Sequence, residues 1–449
     1  MKMCRWPWLV FVLGLPAILG SGGNPAAQSL PRGQKWVASW VASAHGPYPS
    51  GNASAQPVLD FAFESAEGGA TDQTFRLIVR PDVWGGRVRL RFANTFGTRA
   101  VTFDGVFVGL HGSGGAVVAG TNRPVTFANG KDVLTLAVGQ SAFSDPVTLP
   151  FAASASVLTL DGRKLAVSFH VAGATGPMTW HAKALQTSYV TGPRAGRHGA
   201  DESGAAFPFT TTSWYFLDAL DVLASDDTRV VACFGDSITD GTGSTLNGDD
   251  RWPDVLARRL HAAYGSRVAV VNAGIGGNRI TGPAGYGPAS PFAGGPSALD
   301  RLERDVFGIS GLSTIVWFEG INDLSSGTSA ETVIEGLEDG VKRMRGRNLR
   351  VIGATITPSL GAASPAGTPD VAARRQIVNS FIRTSGLFDG VADFDRATSD
   401  PKTGALGTEF QPNSTIGGAG DRLHPNRAGY MAMAAAVDLA LLAPRSARP

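Results

Sequence analysis

The feature that most constrains this chain is a change in the period of its hydrophobic pattern partway along. From residue 35 to about 190, short runs alternate apolar and polar side chains, as in Thr74-Phe75-Arg76-Leu77-Ile78-Val79-Arg80 and Arg87-Val88-Arg89-Leu90-Arg91-Phe92. Segments 101–110, 133–138, 157–160 and 165–171 continue the rhythm. A period of two sends successive side chains to opposite faces, so these runs predict antiparallel strands with one solvated face. Six or more such strands with no helix between them predict a β-sandwich or jelly roll over residues 35–191.

A polar, Gly-rich stretch opens at Gly192, and residues 192–225 read as a connecting segment. Beyond it the apolar runs become nearly continuous, at 229–234, 268–271, 315–318, 349–356 and 391–394. Helical spacing lies between them at 251–264, 330–344 and 370–383, and a final helix is expected from His424 to 442. Strands apolar on both faces and alternating with helices predict a parallel sheet covered on both sides, an α/β domain over 226–445. In open sheets of this kind ligands bind beyond the carboxyl ends of the strands.

Chemistry-bearing residues gather at those ends. The first α/β strand runs into Gly235-Asp236-Ser237-Ile238-Thr239-Asp240-Gly241, and the second into Asn272-Ala273-Gly274-Ile275-Gly276-Gly277-Asn278. The third runs into Glu319-Gly320-Ile321-Asn322-Asp323, and Asp421-Arg422-Leu423-His424-Pro425 follows the fifth. A serine hydroxyl becomes a useful nucleophile when an imidazole takes its proton, and a carboxylate on the far ring nitrogen holds the needed tautomer. The Asp421-x-x-His424 spacing supplies base and orienting carboxylate from one turn, and Ser237 supplies the nucleophile. An oxyanion then needs donors already in place. The candidates are the N–H of Ser237, the N–H of Gly277 and the side-chain amide of Asn322. Gly274, Gly276 and Gly277 all stand in the glycine block, and the spacing from Asn272 selects Gly277.

These blocks, in this order over about 190 residues, resemble those of the GDSL or SGNH hydrolase family of serine esterases and acylhydrolases. Gly235-Asp236-Ser237 matches its first block, residues 272–277 its glycine block, Gly320-Ile321-Asn322-Asp323 its asparagine block, and Asp421 with His424 its last. The resemblance implies a flavodoxin-like three-layer fold and the roles argued above for Ser237, Gly277, Asn322, Asp421 and His424. The two-part layout is similar to a bacterial subgroup with a β-rich N-terminal domain.

Taken singly, the same residues have simpler uses: serine is a favoured helix N-cap and asparagine a turn former. Gly235, Asp236 and Asp323 read as loop-shaping supports. His45, His111, His170, His181, His198 and His261 lack the carboxylate spacing of His424 and read as structural or solvated, with His261 facing away from the strand ends. Trp36, Trp40, Trp84, Trp180 and Trp214 read as core in preference to sugar platforms.

Other chemistries find no support. The chain has no G-x-x-x-x-G-K-[ST] loop, no full dinucleotide fingerprint and no H-E-x-x-H, and Thr239 breaks the G-x-S-x-G elbow. No cofactor or metal is implied. A net charge of +2 without basic runs gives no nucleic-acid footprint. Lys2 and Arg5 precede an apolar stretch at 6–19 that Pro16 interrupts, short of the ~20 residues a span needs, so residues 1–27 read as an export signal. Secretion or a periplasmic location follows, with no stable membrane span after cleavage. Of two cysteines, Cys4 leaves with that signal and Cys233 reads as a buried core residue.

The expected activity is hydrolysis of a carboxylic ester through an acyl-serine. The substrate is a small-molecule or carbohydrate ester carrying a short, acetyl-like group, because the segment 281–297 beside the site offers Tyr286 and Phe292 but no long apolar run. Two alternatives use the same residues differently: an acyltransferase, and a glycan-binding protein with weak or lost esterase activity.

Overall fold

The computed structural model describes residues 30–444, apart from 53–58, 60–61, 66, 155–159, 284 and 288–289. The expected export signal and most of the strand expected at 157–160 lie outside the described residues.

Two antiparallel sheets form the N-terminal half. One contains β1 (Gln34–Val41), β3 (Arg87–Ala93) and β10 (Leu217–Ser225), with β10 between the other two. The other runs in the order β8 (Phe209–Thr211), β7 (Ser188–Val190), β2 (Thr71–Val79), β5 (Leu165–Ala174), β4 (Val101–Leu110). Their inner faces meet through aromatic rings: Phe92 lies 5.2 Å from Phe103 and 5.3 Å from Phe169, which stacks on Phe75 at 5.3 Å. A small third sheet pairs β6 (Thr179–His181) with residues 45–47 on one side and β9 (Trp214–Tyr215) on the other. Trp40, Trp180 and Trp214 are buried in this packing.

The segment 192–225 is therefore more than a connection, because β8, β9 and β10 belong to the sheets. Strand β10 escaped the reading because it does not alternate: Leu217–Leu223 is buried on both faces. Its outer face carries Asp218 and Asp221, which pair with Arg91 and Arg89 at 2.7 Å each, and Ser310 of the α/β half donates to Asp221 at 2.7 Å.

In the second half, five parallel strands run in the order β12 (Val268–Gly274), β11 (Arg229–Gly235), β13 (Leu312–Phe318), β14 (Arg350–Ala354), β15 (Gly390–Ala392). Numbered by appearance within the domain, this is the flavodoxin-like order 2-1-3-4-5, whose switch point lies between the first and third strands. Seven helices used below are α1 (Ser237–Asp240), α2 (Trp252–Tyr264), α3 (Ala298–Asp305), α4 (Ile321–Ser325), α5 (Ala330–Arg345), α6 (Pro369–Thr384) and α7 (Arg427–Ala435). The last differs from expectation. It starts at Arg427, because Pro425 disfavours a helical His424 and Asn426 caps the N-terminus through Ala428 N and Gly429 N. Cys233 is fully buried in β11, and burial pushes its thiol well up.

The halves share one apolar cluster, which includes Val37 and Phe92 from the sandwich and Val230, Ala269 and Leu302 from the α/β half. Polar contacts register them. Asp82 accepts from Val270 N at 2.6 Å and from His261 Nε2 at 3.1 Å, and Arg304 donates to Ala44 O at 2.7 Å.

One buried cation sets the strand ends. Arg301 on α3 donates to Gly235 O at 2.9 Å, Ala273 O at 2.8 Å and Asn278 Oδ1 at 2.7 Å, and pairs with Asp305 at 3.3 Å. Glu319 Oε1 lies 3.9 Å away, while its Oε2 accepts from Trp317 Nε1 at 2.9 Å. Burial outweighs the attraction to Arg301 and pushes Glu319 up to about 8. The folded carboxyl thus holds its proton over a range where the unfolded one, near 4.3, has lost it. Its contribution is fully present below the unfolded value and is lost as pH rises to about 8. Glu319→Gln is expected to match wild-type stability within about 1 kcal/mol near pH 4 and to flatten the decline between pH 4 and pH 8, read by urea unfolding. Arg301→Met, which removes the donors to Gly235 O, Ala273 O and Asn278 Oδ1 and leaves Asp305 paired with Arg304 alone, is expected to cost about 3–5 kcal/mol in the same assay.

Candidate active site

Ser237 opens α1 directly after β11. Asp236 sits in extended conformation and its Oδ1 accepts from Ile238 N at 3.0 Å, while Gly241, at φ 114°, closes the turn with its N–H on Ser237 O. A side chain at Gly235 would collide with Phe318 O of the neighbouring strand, so the approach to the serine requires glycine there. Burial pushes Asp236 up to about 7, and its Oδ2 has no partner among the described residues.

The base and its carboxylate come from the loop before α7. His424 Nε2 lies 2.8 Å from Ser237 Oγ, and His424 Nδ1 lies 2.5 Å from Asp421 Oδ2. Asp421 Oδ1 accepts from the N–H groups of Leu423 at 3.0 Å and His424 at 2.9 Å. Partial burial raises the Asp421 carboxyl, but the His424 ring and these backbone donors win and hold it well below the usual range. Arg422, at φ 60°, takes the left-handed conformation that keeps the turn tight.

The loops after β12 and β13 are tied together. Asn322, near the start of α4, donates from Nδ2 to Asn278 O at 2.9 Å, which spends one of its two amide N–H bonds. Asp323 accepts from Ile280 N at 2.9 Å, and from Thr281 N and Oγ1 at 3.1 Å each. Asn278 Nδ2 donates to Gly294 O and Pro296 O. Gly277 has φ 83°, and its N–H donates to no group among the described residues.

A layer of the site comes from the N-terminal half and had no local signal in sequence. His181 donates from Nδ1 to Ser43 O at 2.9 Å and from Nε2 to Asp240 Oδ1 at 3.1 Å, so both ring nitrogens carry protons. Burial lowers the His181 pKa, but Asp240 outweighs it and raises it overall. Asp240 Oδ2 accepts from Gly276 N at 2.8 Å. Lys183, buried, donates to Thr242 Oγ1, and Asn52 Nδ2 donates to Gly276 O at 2.8 Å. His45 instead accepts from Ala182 N through Nε2, and burial lowers its pKa to about 3, so it is neutral.

Three of the remaining histidines have acidic partners in space, Asp104 and Asp72 for His170, Asp201 for His198 and Asp82 for His261, while His111 meets Gly114 O at 2.8 Å. His261 does face away from the strand ends, since its ring reaches Val268 O at the start of β12. Among the described residues no group of three His, Cys, Asp or Glu side chains is placed to hold a metal ion, and no helix is long and apolar enough to cross a membrane.

Residues 233–432 match the model of the GDSL-like lipase/acylhydrolase family. No curated protein matches the chain. Among solved structures, a lipase/acylhydrolase from Enterococcus faecalis is 24% identical with a TM-score of 0.35, covering 49% of this chain and 100% of its own. A GDSL-like lipase from Bacteroides thetaiotaomicron VPI-5482 is 17% identical with a TM-score of 0.35, covering 48% and 88%. The acetyl xylan esterase AlAXEase is 20% identical with a TM-score of 0.33, covering 46% and 96%. The parallel sheet and its loops, from Cys233 in the first strand into the last helix, are a domain of the GDSL-like lipase/acylhydrolase family.

Proposed function

We propose that the protein is a serine ester hydrolase acting on short-chain, acetyl-like esters of a carbohydrate or of an aryl or alkyl alcohol. The observation that carries this reading is the unbroken relay from Ser237 Oγ to His424 Nε2 at 2.8 Å and from His424 Nδ1 to Asp421 Oδ2 at 2.5 Å. Ser237 Oγ attacks the ester carbonyl as His424 Nε2 takes its proton, and Asp421 stabilises the imidazolium through Nδ1. The carbonyl oxygen, now an anion, is received by the N–H groups of Ser237 and Gly277 and the second amide N–H of Asn322. Collapse breaks the bond to the alcohol, which leaves with the proton from His424. Water then adds by the same route in reverse roles and releases the acid from Ser237.

The acyl preference is supported by the segment that follows the glycine block, residues 281–297, which carries no long apolar run. Tyr286 is fixed by its hydroxyl on Gly46 N at 2.6 Å and by an edge contact with Phe96, and Phe292 lies under the Arg279 guanidinium at 4.8 Å. Both rings are held by specific partners. The apolar stretch at 6–19 supports export to the periplasm or exterior.

With nitrophenyl acetate, Ser237→Ala is expected to lower kcat by at least about 10⁴-fold, and Asp421→Asn by about 10³- to 10⁴-fold with KM nearly unchanged. Equal rates in wild type and Ser237→Ala would exclude this serine as the nucleophile. Across a series of nitrophenyl esters kcat/KM is expected to peak at acetate or butyrate, and a maximum at octanoate or longer would exclude the short-acyl preference.

A further inference from the structure

The peptide joining Gly276 to Gly277 is gripped at its oxygen by a residue of the N-terminal half. Asn52 Nδ2 donates to Gly276 O at 2.8 Å, across a sequence separation that no local pattern bridges. This peptide is not among the cis bonds of the chain. In a planar trans unit the C=O and N–H point in opposite directions. Holding Gly276 O toward Asn52 therefore sets where the Gly277 N–H points.

The restraint matters because both residues are glycines. A Gly-Gly peptide rotates about its flanking bonds at little steric cost, and Gly277 already stands at φ 83°. A flip would turn the Gly277 N–H away and present a carbonyl oxygen in its place, exchanging a donor for a repulsive dipole. The preceding peptide is held as well: Gly276 N donates to Asp240 Oδ2 at 2.8 Å, and Asp240 is in turn paired with His181 at 3.1 Å. Asn52 also occupies the space beside the loop, since a Cβ at Gly277 would lie 2.5 Å from its Nδ2. On the other glycine, a Cβ at Gly276 would lie 2.8 Å from Lys183 Nζ.

We propose that Asn52 is a positioning residue for the oxyanion hole, aiming the Gly277 N–H at the reacting carbonyl oxygen from a half of the protein outside the catalytic sheet. The proposal rests on the reading of Ser237 as nucleophile given above. It makes the sandwich a working part of the site, because the donor's direction is set across the interface between the halves.

The test uses the full chain with wild type, Ser237→Ala, Asn52→Asp and Asn52→Ala in parallel. Asn52→Asp keeps the shape and removes the amide donor, and Asn52→Ala removes the side chain, so one serves if the other fails to fold. Two rates are read: turnover of nitrophenyl acetate, and phosphonylation of Ser237 by an alkyl fluorophosphonate, followed by mass spectrometry of the modified peptide. In the second reaction the Ser237 Oγ–P bond forms, fluoride leaves and the proton passes to His424, so it needs the same donors but no knowledge of the natural substrate. Both Asn52 variants are expected to lose about 10- to 100-fold in kcat and in phosphonylation rate together, with KM within about threefold and an unchanged melting temperature.

Wild-type rates in a folded Asn52 variant, beside an inactive Ser237→Ala, would overturn the proposal and leave the esterase reading standing. A raised KM with kcat retained would also overturn it, marking Asn52 as a binding contact. A Ser237→Ala protein as active as wild type, or a wild type that neither turns over nor labels at Ser237, would overturn the esterase reading and this proposal with it.

Discussion

The guanidinium of Arg301 holds together everything the site is built on. It reaches the carbonyl oxygens of Gly235 and Ala273 at the ends of adjacent strands, and the side chain of Asn278 in the loop beyond. Those groups carry the serine turn and the glycine block, so their separation is set by one rigid, planar fork. Such a cation needs compensation in a dry interior. Asp305 provides an ionised partner, held below its usual range by Arg304 and Arg301 against the effect of burial. Glu319 and Asp236 are pushed the other way by burial. Burial thus biases Glu319 and Asp236 toward their neutral forms, while Asp240 is held ionised by His181, so negative charge near the serine turn comes with a partner.

Much of this was legible from pattern alone, and the reasons are physical. A strand buried on both faces reads as a continuous apolar run, so β11 through β14 stood out and their carboxyl ends located Ser237, Gly277 and Asn322. The Asp421-x-x-His424 pair was visible because both residues lie in one turn. Helix α3 was not, because its inward face carries Arg301 and Asp305 and so breaks the apolar rhythm. Strand β10 was hidden for the opposite reason: with the α/β half covering its outer face, it lost the alternation that marks a solvated sheet. The expected start of the last helix at His424 fails on the proline that follows it.

The contacts of His181, Lys183 and Asn52 belong to a different category. Each meets its partner across a separation of 59 to 224 residues, and none sits in a local motif. Only the docking of the sandwich on the α/β half brings them to the serine and glycine loops. His181 illustrates the point: with no carboxylate nearby in sequence it reads as a plain structural histidine, yet folded it is a doubly donating cation that fixes Asp240. The shared apolar cluster makes this possible, because polar groups at an interface hold their geometry only where packing fixes the backbones around them.

The edges of the parallel sheet have a consequence for solubility. An uncovered edge strand offers a row of unpaired N–H and C=O groups to any other chain. At one end β15 is only three residues long. At the other, β12 is shielded from the side: Val270 N–H is taken by Asp82, and Val268 O by the ring of His261. Asp82 of the sandwich and His261 of α2 thus together guard a seven-residue edge that would otherwise be a template for strand addition. Separated from the sandwich, the α/β half would show the Val270 N–H together with the apolar surface that Val37 now covers, and would be prone to self-association.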